Sequence, residues 1–180
     1  ELNVDGHGEF HGSTGDRMFD HLLAQLARHG LLDVGINVLS DNLPDNHHLV
    51  EDVAIVLARA LREALREGIG IRRMGSAIIP LDETLASVAL DVGGRGYAVI
   101  DIQLEGRMVG SLTGELIEHF LERFAIESGI SLHATIVKGR DPHHKAEAIF
   151  KALARSLRVA LERDPRAIAV IPSTKGTVFG

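Results

Sequence analysis

The chain has 180 residues, of which 45% are hydrophobic, a formal net charge of −6 and no cysteine. This length suits one domain or two small fused halves, and the apolar content is ordinary for a globular chain with a core. The lack of cysteine excludes disulfides, thiolate metal sites and cysteine nucleophiles, so histidine and carboxylate remain as the strong metal ligands. Ten histidines are therefore the unusual feature of the composition.

The charge pattern also limits the partners that we expect. The chain has no block of Lys or Arg, one Tyr and no Trp, which predicts no binding to nucleic acid or to a membrane surface. No stretch approaches the roughly 20 apolar residues of a membrane span, and no signal segment opens the chain. We expect a soluble, cytoplasmic protein.

The first predicted element is a strand near residues 2–5 that enters a glycine-rich hairpin turn. Residues 90–96 repeat this pattern and are preceded by the strand-like residues 82–88. The matching residues of the first copy would lie before Glu1. We therefore expect the sequence to start inside its first strand.

The remaining elements also occur twice. Apolar spacing and glycine stops predict helices, strands and turn-rich segments. The first set comprises a helix at 18–27, a strand at 31–39, a turn-rich segment at 40–46 and a helix at 49–67. The second set comprises a helix at 116–124, a strand at 130–137, a turn-rich segment at 138–142 and a helix at 143–163. A final loop is predicted at 171–176.

Each half therefore consists of strand, strand, helix, strand and helix. The halves are residues 1–80 and 81–180, and no Pro-rich, Ser-rich or charged linker separates them, so we expect them to pack as one unit. Amphipathic helices with short strands predict an α+β fold, a two-layer α/β sandwich built from an internal duplication.

A histidine motif begins the last helix of each half. Residues 45–51 and 141–147 both read Asp-x-His-His-x-x-Glu. Positions i and i+4 of a helix share a face, whereas adjacent positions point about 100° apart. Each motif can therefore supply ligands to two separate ions.

One more histidine precedes each motif on the preceding helix, which gives two four-residue sets. The candidate metal ligands are His21, His47, His48, Glu51 and His119, His143, His144, Glu147. Imidazole with carboxylate favours Mn, Fe, Zn or Ni over Ca or Mg. The other histidines, His7, His11, His29 and His133, have no histidine partner in the repeat, and we expect no ligand role for them.

These residues resemble the imidazoleglycerol-phosphate dehydratase family of histidine biosynthesis. The resemblance covers nearly the whole chain. It rests on Phe19-Asp20-His21, the two His-His motifs, Gly70-Ile71-x-Arg73, Pro80-Leu81-Asp82-Glu83, Gly94-Arg95, Leu132-His133 and residues 172–176. It implies a hydro-lyase with two Mn²⁺ per active site, held by the eight ligands above, in a large cage of trimers with active sites between subunits.

Two segments depart from the family pattern. The family has an Arg-x-Thr-x-Glu-Thr motif in its first strand, and the corresponding residues would lie before Glu1. Residues 16–18, Asp-Arg-Met, are more charged than is usual there. We expect the surroundings of His21 to differ somewhat from those in other members.

The resemblance also implies a reaction, in which the substrate loses a hydroxyl beside its imidazole ring and a hydrogen from the next carbon. That hydrogen is not acidic. Two ions that bind both ring nitrogens could stabilise an imidazolate, which would expel the hydroxyl through a diazafulvene-like intermediate. Proton transfer needs an acid or base within reach.

The resemblance assigns further residues to roles. By the internal repeat, Glu83-Thr84 is the second-half counterpart of the family Glu-Thr that would lie before Glu1. Glu83 is therefore the first candidate acid or base, with Asp82 second; ordering of a loop is the alternative role for both. Glu51 and Glu147 are also counted among the catalytic residues. The residues that match substrate-contacting or phosphate-contacting positions are Arg73, Arg95, Lys151, Ser173, Thr174 and Lys175.

Two other functions stay open. In a dinuclear metallohydrolase, the ions would generate hydroxide, and turnover of phosphoesters would identify it. A metal-storage or metal-sensing cage would bind ions without turnover, although it would not need the basic cluster of Arg73 and residues 173–175.

Overall fold

A computed structural model describes residues 1–38 and 46–179 of the chain. The four helices are α1 (Arg17–Gly30), α2 (Asn46–Leu65), α3 (Gly114–Ser128) and α4 (Pro142–Leu161). The strands are β1 (Leu2–Asn3), β2 (Phe10–Ser13), β3 (Asp33–Asn37), β4 (Met74–Leu81), β5 (Thr84–Val92), β6 (Tyr97–Asp101), β7 (Met108–Val109), β8 (Leu112–Thr113) and β9 (Ile130–Lys138). Residues 171–176 contain neither helix nor strand, as predicted.

The helices begin and end at local signals. Asp16 caps α1 by accepting hydrogen bonds from the backbone N–H groups of Met18 and Phe19, so the charged segment at 16–18 starts the helix. Gly129, with φ 74°, ends α3. At the end of α1, however, the left-handed residue is Leu31 and not Gly30. Helix α2 begins at Asn46, earlier than predicted.

The strands form two mixed sheets and one short hairpin. The first sheet has the order β1-β3-β2, the second has the order β4-β5-β9-β6, and β7 pairs with β8. Strand β1 is antiparallel to β3 and β2 is parallel to it. In the same way, β5 is antiparallel to β9 and β6 is parallel to it. The predicted α+β fold is confirmed.

The predicted hairpins after β1 and β5 are wrong. Within each sheet, the strand that follows the helix inserts between the two strands that the hairpin would have joined. The turn residues were interpreted correctly as turns, but local signals do not say which strands pair. Leu39 and residues 40–45, which include Asp45 of the first His-His motif, lie outside the described residues.

The two sheets share strand order and strand direction, which supports the predicted duplication. Strand β4 spans the expected boundary between residues 80 and 81 and pairs along its whole length with β5. It therefore lies in the same sheet as β5, and the division of the chain into residues 1–80 and 81–180 stays a prediction.

The helices pack in pairs that cross between the halves. Helix α1 packs against α4, and α2 packs against α3, while α4 covers β4 and β5. Phe19, Phe120 and Phe150, all fully buried, join α1, α3 and α4 at the centre, with ring centroids 5.6 Å and 5.2 Å apart. Among the described helices, none is long and apolar enough to span a membrane.

Candidate metal centre and substrate site

The first cluster of candidate ligands joins α1 and α4. His21 Nε2 lies 2.9 Å from Glu147 Oε2, and His143 Nε2 lies 3.1 Å from the same oxygen. The two imidazole rings stack with their centroids 5.5 Å apart. His143 and Glu147 are four residues apart in the sequence of α4, and the packing of α1 against α4 brings His21 to them.

The second cluster joins α2 and α3. The rings of His47 and His119 stack with centroids 4.8 Å apart, and His119 Nε2 lies 3.5 Å from Glu51 Oε1. At that distance the two atoms form an ion pair at most, since hydrogen bonds of this kind are shorter. Among the residues that the structure describes, no hydrogen-bond partner reaches His119 Nε2, although this atom is buried.

Both clusters cross between the sequence halves. The candidate ligands were grouped by half in the sequence, which left open how they divide between the ions. In the structure, His21 meets Glu147 of the second half, and His119 meets Glu51 of the first. The reason is helix packing, because each preceding helix lies against the motif helix of the other half. The periodicity of residues within one helix does not indicate which other helix it packs against.

The second histidine of each motif lies outside the clusters. His144 Nδ1 is 2.7 Å from Glu83 Oε2 and its Nε2 is 3.7 Å from Asp82 Oδ2. The rings of His47 and His48 are nearly perpendicular, as are those of His143 and His144. The predicted separation of the paired histidines is thus present in both motifs.

The clusters suit a divalent transition metal. In each one, the ligand atoms of two histidines and one glutamate lie within 4.8 Å of one another. A metal ion binds such atoms at about 2.0–2.2 Å, so a small inward movement would bring all three to an ion. A buried imidazole nitrogen without a partner costs free energy, and an ion would supply that partner to His119.

A cation accompanies each glutamate. Lys151 Nζ lies 2.6 Å from Glu147 Oε1, and Arg123 Nε lies 3.6 Å from Glu51 Oε1. Burial alone would raise the pKa of Glu147, but hydrogen bonds from Lys151 and His21 lower it to about 2. Glu147 is therefore a carboxylate at neutral pH. The contact of Arg123 with Glu51 was not predicted from the sequence, although Arg123 and Glu127 show the i, i+4 spacing of a helical ion pair.

Glu83 holds the turn that starts α4. Its Oε1 accepts hydrogen bonds from the backbone N–H groups of Asp141 (2.9 Å) and Arg140 (3.0 Å). These bonds and the contact with His144 lower the pKa of Glu83 far below its ordinary value. The same contact raises the pKa of His144. Both Glu83 and Asp82 therefore lie beside a predicted ligand.

Most of the predicted phosphate-binding residues line one cavity of about 330 Å³. These residues are Arg73, Arg95, Ser173, Thr174 and Lys175. Asp91, which the sequence reasoning missed, bonds to Arg73 and raises the pKa of its guanidinium. Lys151 is the exception in the predicted set, because it lies at the first cluster and not at this basic cavity.

The basic cavity and the first cluster lie near opposite ends of α4. Arg73 donates its backbone N–H to Ala160 near the end of α4, whereas Glu147 is in its second turn. From Glu147 to Ala160 the helix rises roughly 20 Å. The remaining histidines join neither cluster; His11 pairs with Glu9 and His29 with Gln25.

Comparisons with known proteins identify the family of the chain. The family model described as imidazoleglycerol-phosphate dehydratase matches residues 14–157. An imidazoleglycerol-phosphate dehydratase of Dehalococcoides mccartyi strain 195 is 51% identical over 97% of this chain and 88% of its own length. One from Albidiferax ferrireducens is 47% identical over 99% of this chain and 87% of its own length.

Solved structures show the same similarity. The imidazoleglycerol-phosphate dehydratase of Staphylococcus aureus is 33% identical, with a TM-score of 0.84 over 91% of this chain and 92% of that one. The Pyrococcus furiosus enzyme, solved in complex with (S)-C348, has a TM-score of 0.81 at 33% identity over 98% and 93% of the two chains. The chain belongs to the imidazoleglycerol-phosphate dehydratase family of carbon–oxygen lyases.

Proposed function

We propose that the chain dehydrates imidazoleglycerol phosphate to imidazoleacetol phosphate in histidine biosynthesis, with two divalent transition-metal ions, expected to be Mn²⁺, at each active site. The observation that carries this proposal is the pair of equivalent clusters, each of two histidines and one glutamate. Two matched sites suit a substrate ring with two nitrogens that can each bind an ion. The cytoplasmic location stays a prediction.

Each of the two clusters would hold one of the two ions. His21, His143 and Glu147 would hold one ion, and His47, Glu51 and His119 the other. When bound, such ions act as Lewis acids that stabilise the imidazolate form of the substrate ring and orient it for loss of its hydroxyl. His48 and His144 are not members of the two clusters, and we assign them to ions shared with neighbouring subunits.

The proton-transfer roles follow from the contacts around His144. Glu83 accepts two backbone hydrogen bonds and one from His144, so protonation of Glu83 would break bonds that order the start of α4. These contacts favour a role for Glu83 in positioning His144. Asp82, with 75% of its side chain exposed, stays the second candidate for proton transfer. Glu51 and Glu147 are proposed as ligands because each lies in a cluster with two histidines. For Glu147, a pKa of about 2 also makes the carboxyl group a poor acid at neutral pH.

The basic cavity would bind the phosphate group. Arginine and lysine beside hydroxyl groups suit a dianion, and Arg73, Arg95, Lys175 and two hydroxyl residues meet there. Lys151 would act at the metal cluster, where it neutralises Glu147 and can donate to a bound substrate.

The separation between cavity and cluster supports active sites between subunits. Roughly 20 Å of helix rise is longer than an imidazole ring, three carbons and a phosphate can span. We therefore propose that the basic cavity and the first cluster that serve one substrate molecule come from different chains of an oligomer. A cage of trimers is what the family resemblance implies for that oligomer.

The decisive experiment joins metal analysis to a dehydratase assay on the purified protein. We expect two ions per chain, loss of turnover with a chelator and recovery with Mn²⁺. Full activity of the metal-free protein would contradict the proposal. Turnover of phosphoesters without dehydration would identify a hydrolase, and bound metal without any turnover would identify a storage or sensing protein.

A variant of the second cluster sharpens this test. His119→Asn removes a proposed ligand whose Nε2 is buried, so we expect the metal content to fall by one ion per chain while the first cluster stays loaded. His133→Asn is the matched control, because His133 lies on β9 outside both clusters. Equal metal content in both variants would remove His119 from the ligand set.

A further inference from the structure

We propose that Asp91 is a positioning residue for phosphate binding: it aims Arg73 into the basic cavity and, through Arg73, holds the turn that carries Ser173 and Lys175. This inference rests on the proposed function, since that function assigns the cavity to phosphate. Asp91 is not among the residues that line the cavity, so its effect would be exerted through Arg73.

The contact between Asp91 and Arg73 is bidentate. Arg73 Nε donates to Asp91 Oδ1 at 2.6 Å, and Nη2 donates to Oδ2 at 2.9 Å. The side chains of Arg73 and Asp91 are 18% and 28% exposed, so solvent screens this pair less than a surface ion pair. Two parallel charge-assisted bonds set the plane of the guanidinium as well as its position.

The third nitrogen of the guanidinium reaches the C-terminal loop. Arg73 Nη1 donates to the backbone oxygen of Pro172 at 2.8 Å. Pro172 leads into a turn in which the backbone N–H of Gly176 donates to the backbone oxygen of Ser173, and that of Lys175 donates to Ser173 Oγ. Asp91 on β5 and the loop at 173–176 are thus joined through one arginine side chain.

The backbone of Arg73 adopts a conformation that needs support. Its φ is 71°, and the N–H of Met74 donates to the backbone oxygen of Arg72, which closes a three-residue turn around Arg73. Such turns are strained for residues other than glycine and persist only where the surroundings hold them. Hydrogen bonds from Arg73 N to Ala160 and from Val92 N to Arg73 O hold the backbone, and Asp91 holds the side chain.

The arrangement leaves donors for a ligand. A guanidinium carries five N–H groups, and the contacts with Asp91 and Pro172 use three of them. The other two belong to Nη1 and Nη2, and Arg73 lines the cavity. Gly93 keeps this space open, because a Cβ there would lie 2.9 Å from Asp91 Oδ2 and 3.2 Å from Arg73 Nη2.

The charge of Asp91 allows a positioning role to be distinguished from a purely electrostatic effect on phosphate binding. A carboxylate beside the cavity repels an anion, so Asp91→Asn should tighten phosphate binding if charge alone matters. If Asp91 positions Arg73, the same substitution should weaken phosphate binding. The two explanations predict opposite signs for one measurement.

The test measures inorganic phosphate binding by calorimetry, together with KM and kcat, on Mn²⁺-loaded protein. For Asp91→Asn we expect the Kd of phosphate and the KM to rise at least about tenfold, as loss of charge-assisted bonds implies, with kcat within about twofold. A Kd that is unchanged or lower would overturn the proposal. If Asp91→Asn does not fold, the same measurements are made on Asp91→Glu. This variant keeps the negative charge but changes the position of the carboxylate relative to Arg73.

Two controls complete the test. Glu162→Gln removes the ion pair of the neighbouring Arg72 (3.3 Å) and should leave phosphate binding unchanged. Arg73→Gln should weaken binding, and adding Asp91→Asn to it should weaken binding no further, because Asp91 acts through Arg73. Additive losses would overturn the proposal. Phosphate binding is measured without turnover, so failure of the wild-type dehydratase assay would count only against the proposed function.

Discussion

Glu147 uses its two oxygens for two different groups. Oε2 faces His21 and His143, while Oε1 faces Lys151 at 2.6 Å. In the second cluster, Arg123 stays 3.6 Å from Glu51 and bonds to Glu127 instead, at 2.7 Å. The two clusters therefore share ligand types but differ in the cation beside the carboxylate, because Lys151 comes from the motif helix and Arg123 comes from α3.

At the scale of single residues, Lys175 gives a direct test of the basic cavity. Lys175→Ala removes a charge that would bind the substrate phosphate, so we expect KM to rise roughly tenfold or more while metal content stays unchanged. Steady-state kinetics and metal analysis measure both effects. Arg166→Ala, which removes an exposed charge outside the cavity, is the control. Unchanged kinetics in Lys175→Ala would remove Lys175 from the site.

At the scale of elements, the start of α4 depends on one cap. Asp141 Oδ1 accepts from the backbone N–H groups of His143 (2.8 Å) and His144 (3.2 Å). The same residue orders both histidines and the first turn of the helix, with Pro142 at the first helical position.

Replacement of Asp141 should lower the free energy of unfolding. We expect Asp141→Ala to lower the free energy of unfolding by about 1 kcal/mol, because two backbone donors lose their acceptor. Asp141→Asn, which can still cap the helix, should lose much less. Chemical denaturation of the metal-free proteins measures both. Equal stability of the two variants would show that the cap contributes little.

Asp33 links strand β3 to the connection between β1 and β2. Its Oδ1 accepts from the backbone N–H groups of His7, Gly8 and Glu9 at 2.7–3.1 Å. These bonds, led by that of His7, lower the pKa of Asp33 below its ordinary value of 3.8. The charged form is therefore the one that the fold stabilises.

This shift predicts a pH dependence for the folded state. Because the pKa is lower in the folded than in the unfolded chain, the contribution of Asp33 is complete above pH 3.8 and is lost as the pH falls through the folded pKa. Asp33→Asn should thus lower Tm most above pH 3.8, and the difference from wild type should shrink at lower pH. A constant difference across this range would contradict the assignment.

At the scale of the whole molecule, the separation of cavity and cluster predicts complementation between chains. Arg73→Gln damages the basic cavity, and His143→Ala damages the first metal cluster. If each active site takes these parts from different subunits, co-expressed mixed oligomers should recover part of the activity that each variant lacks alone. Dehydratase assays on oligomers purified by size exclusion measure this. Mixed oligomers that stay as inactive as the separate variants would place both parts in one chain.

Local sequence patterns were enough to predict the helices and most strands and to indicate the candidate ligands. Helix spacing, caps and glycine stops depend on residues within about one turn of each other, so the four helices, most strands and the divided histidine pairs were predicted. The residue types at the ligand and phosphate positions, together with their order along the chain, were enough to indicate the dehydratase family.

Which helices and strands contact each other became clear from the tertiary structure. Strands β3 and β9 insert between strands that were predicted as hairpins, β4 joins the second sheet, and His21 and His119 reach the glutamates of the opposite halves. These outcomes depend on buried surfaces that match across the chain, such as the cluster of Phe19, Phe120 and Phe150, and no local pattern encodes them. The positions of Lys151 and Asp91 beside their partners have the same origin.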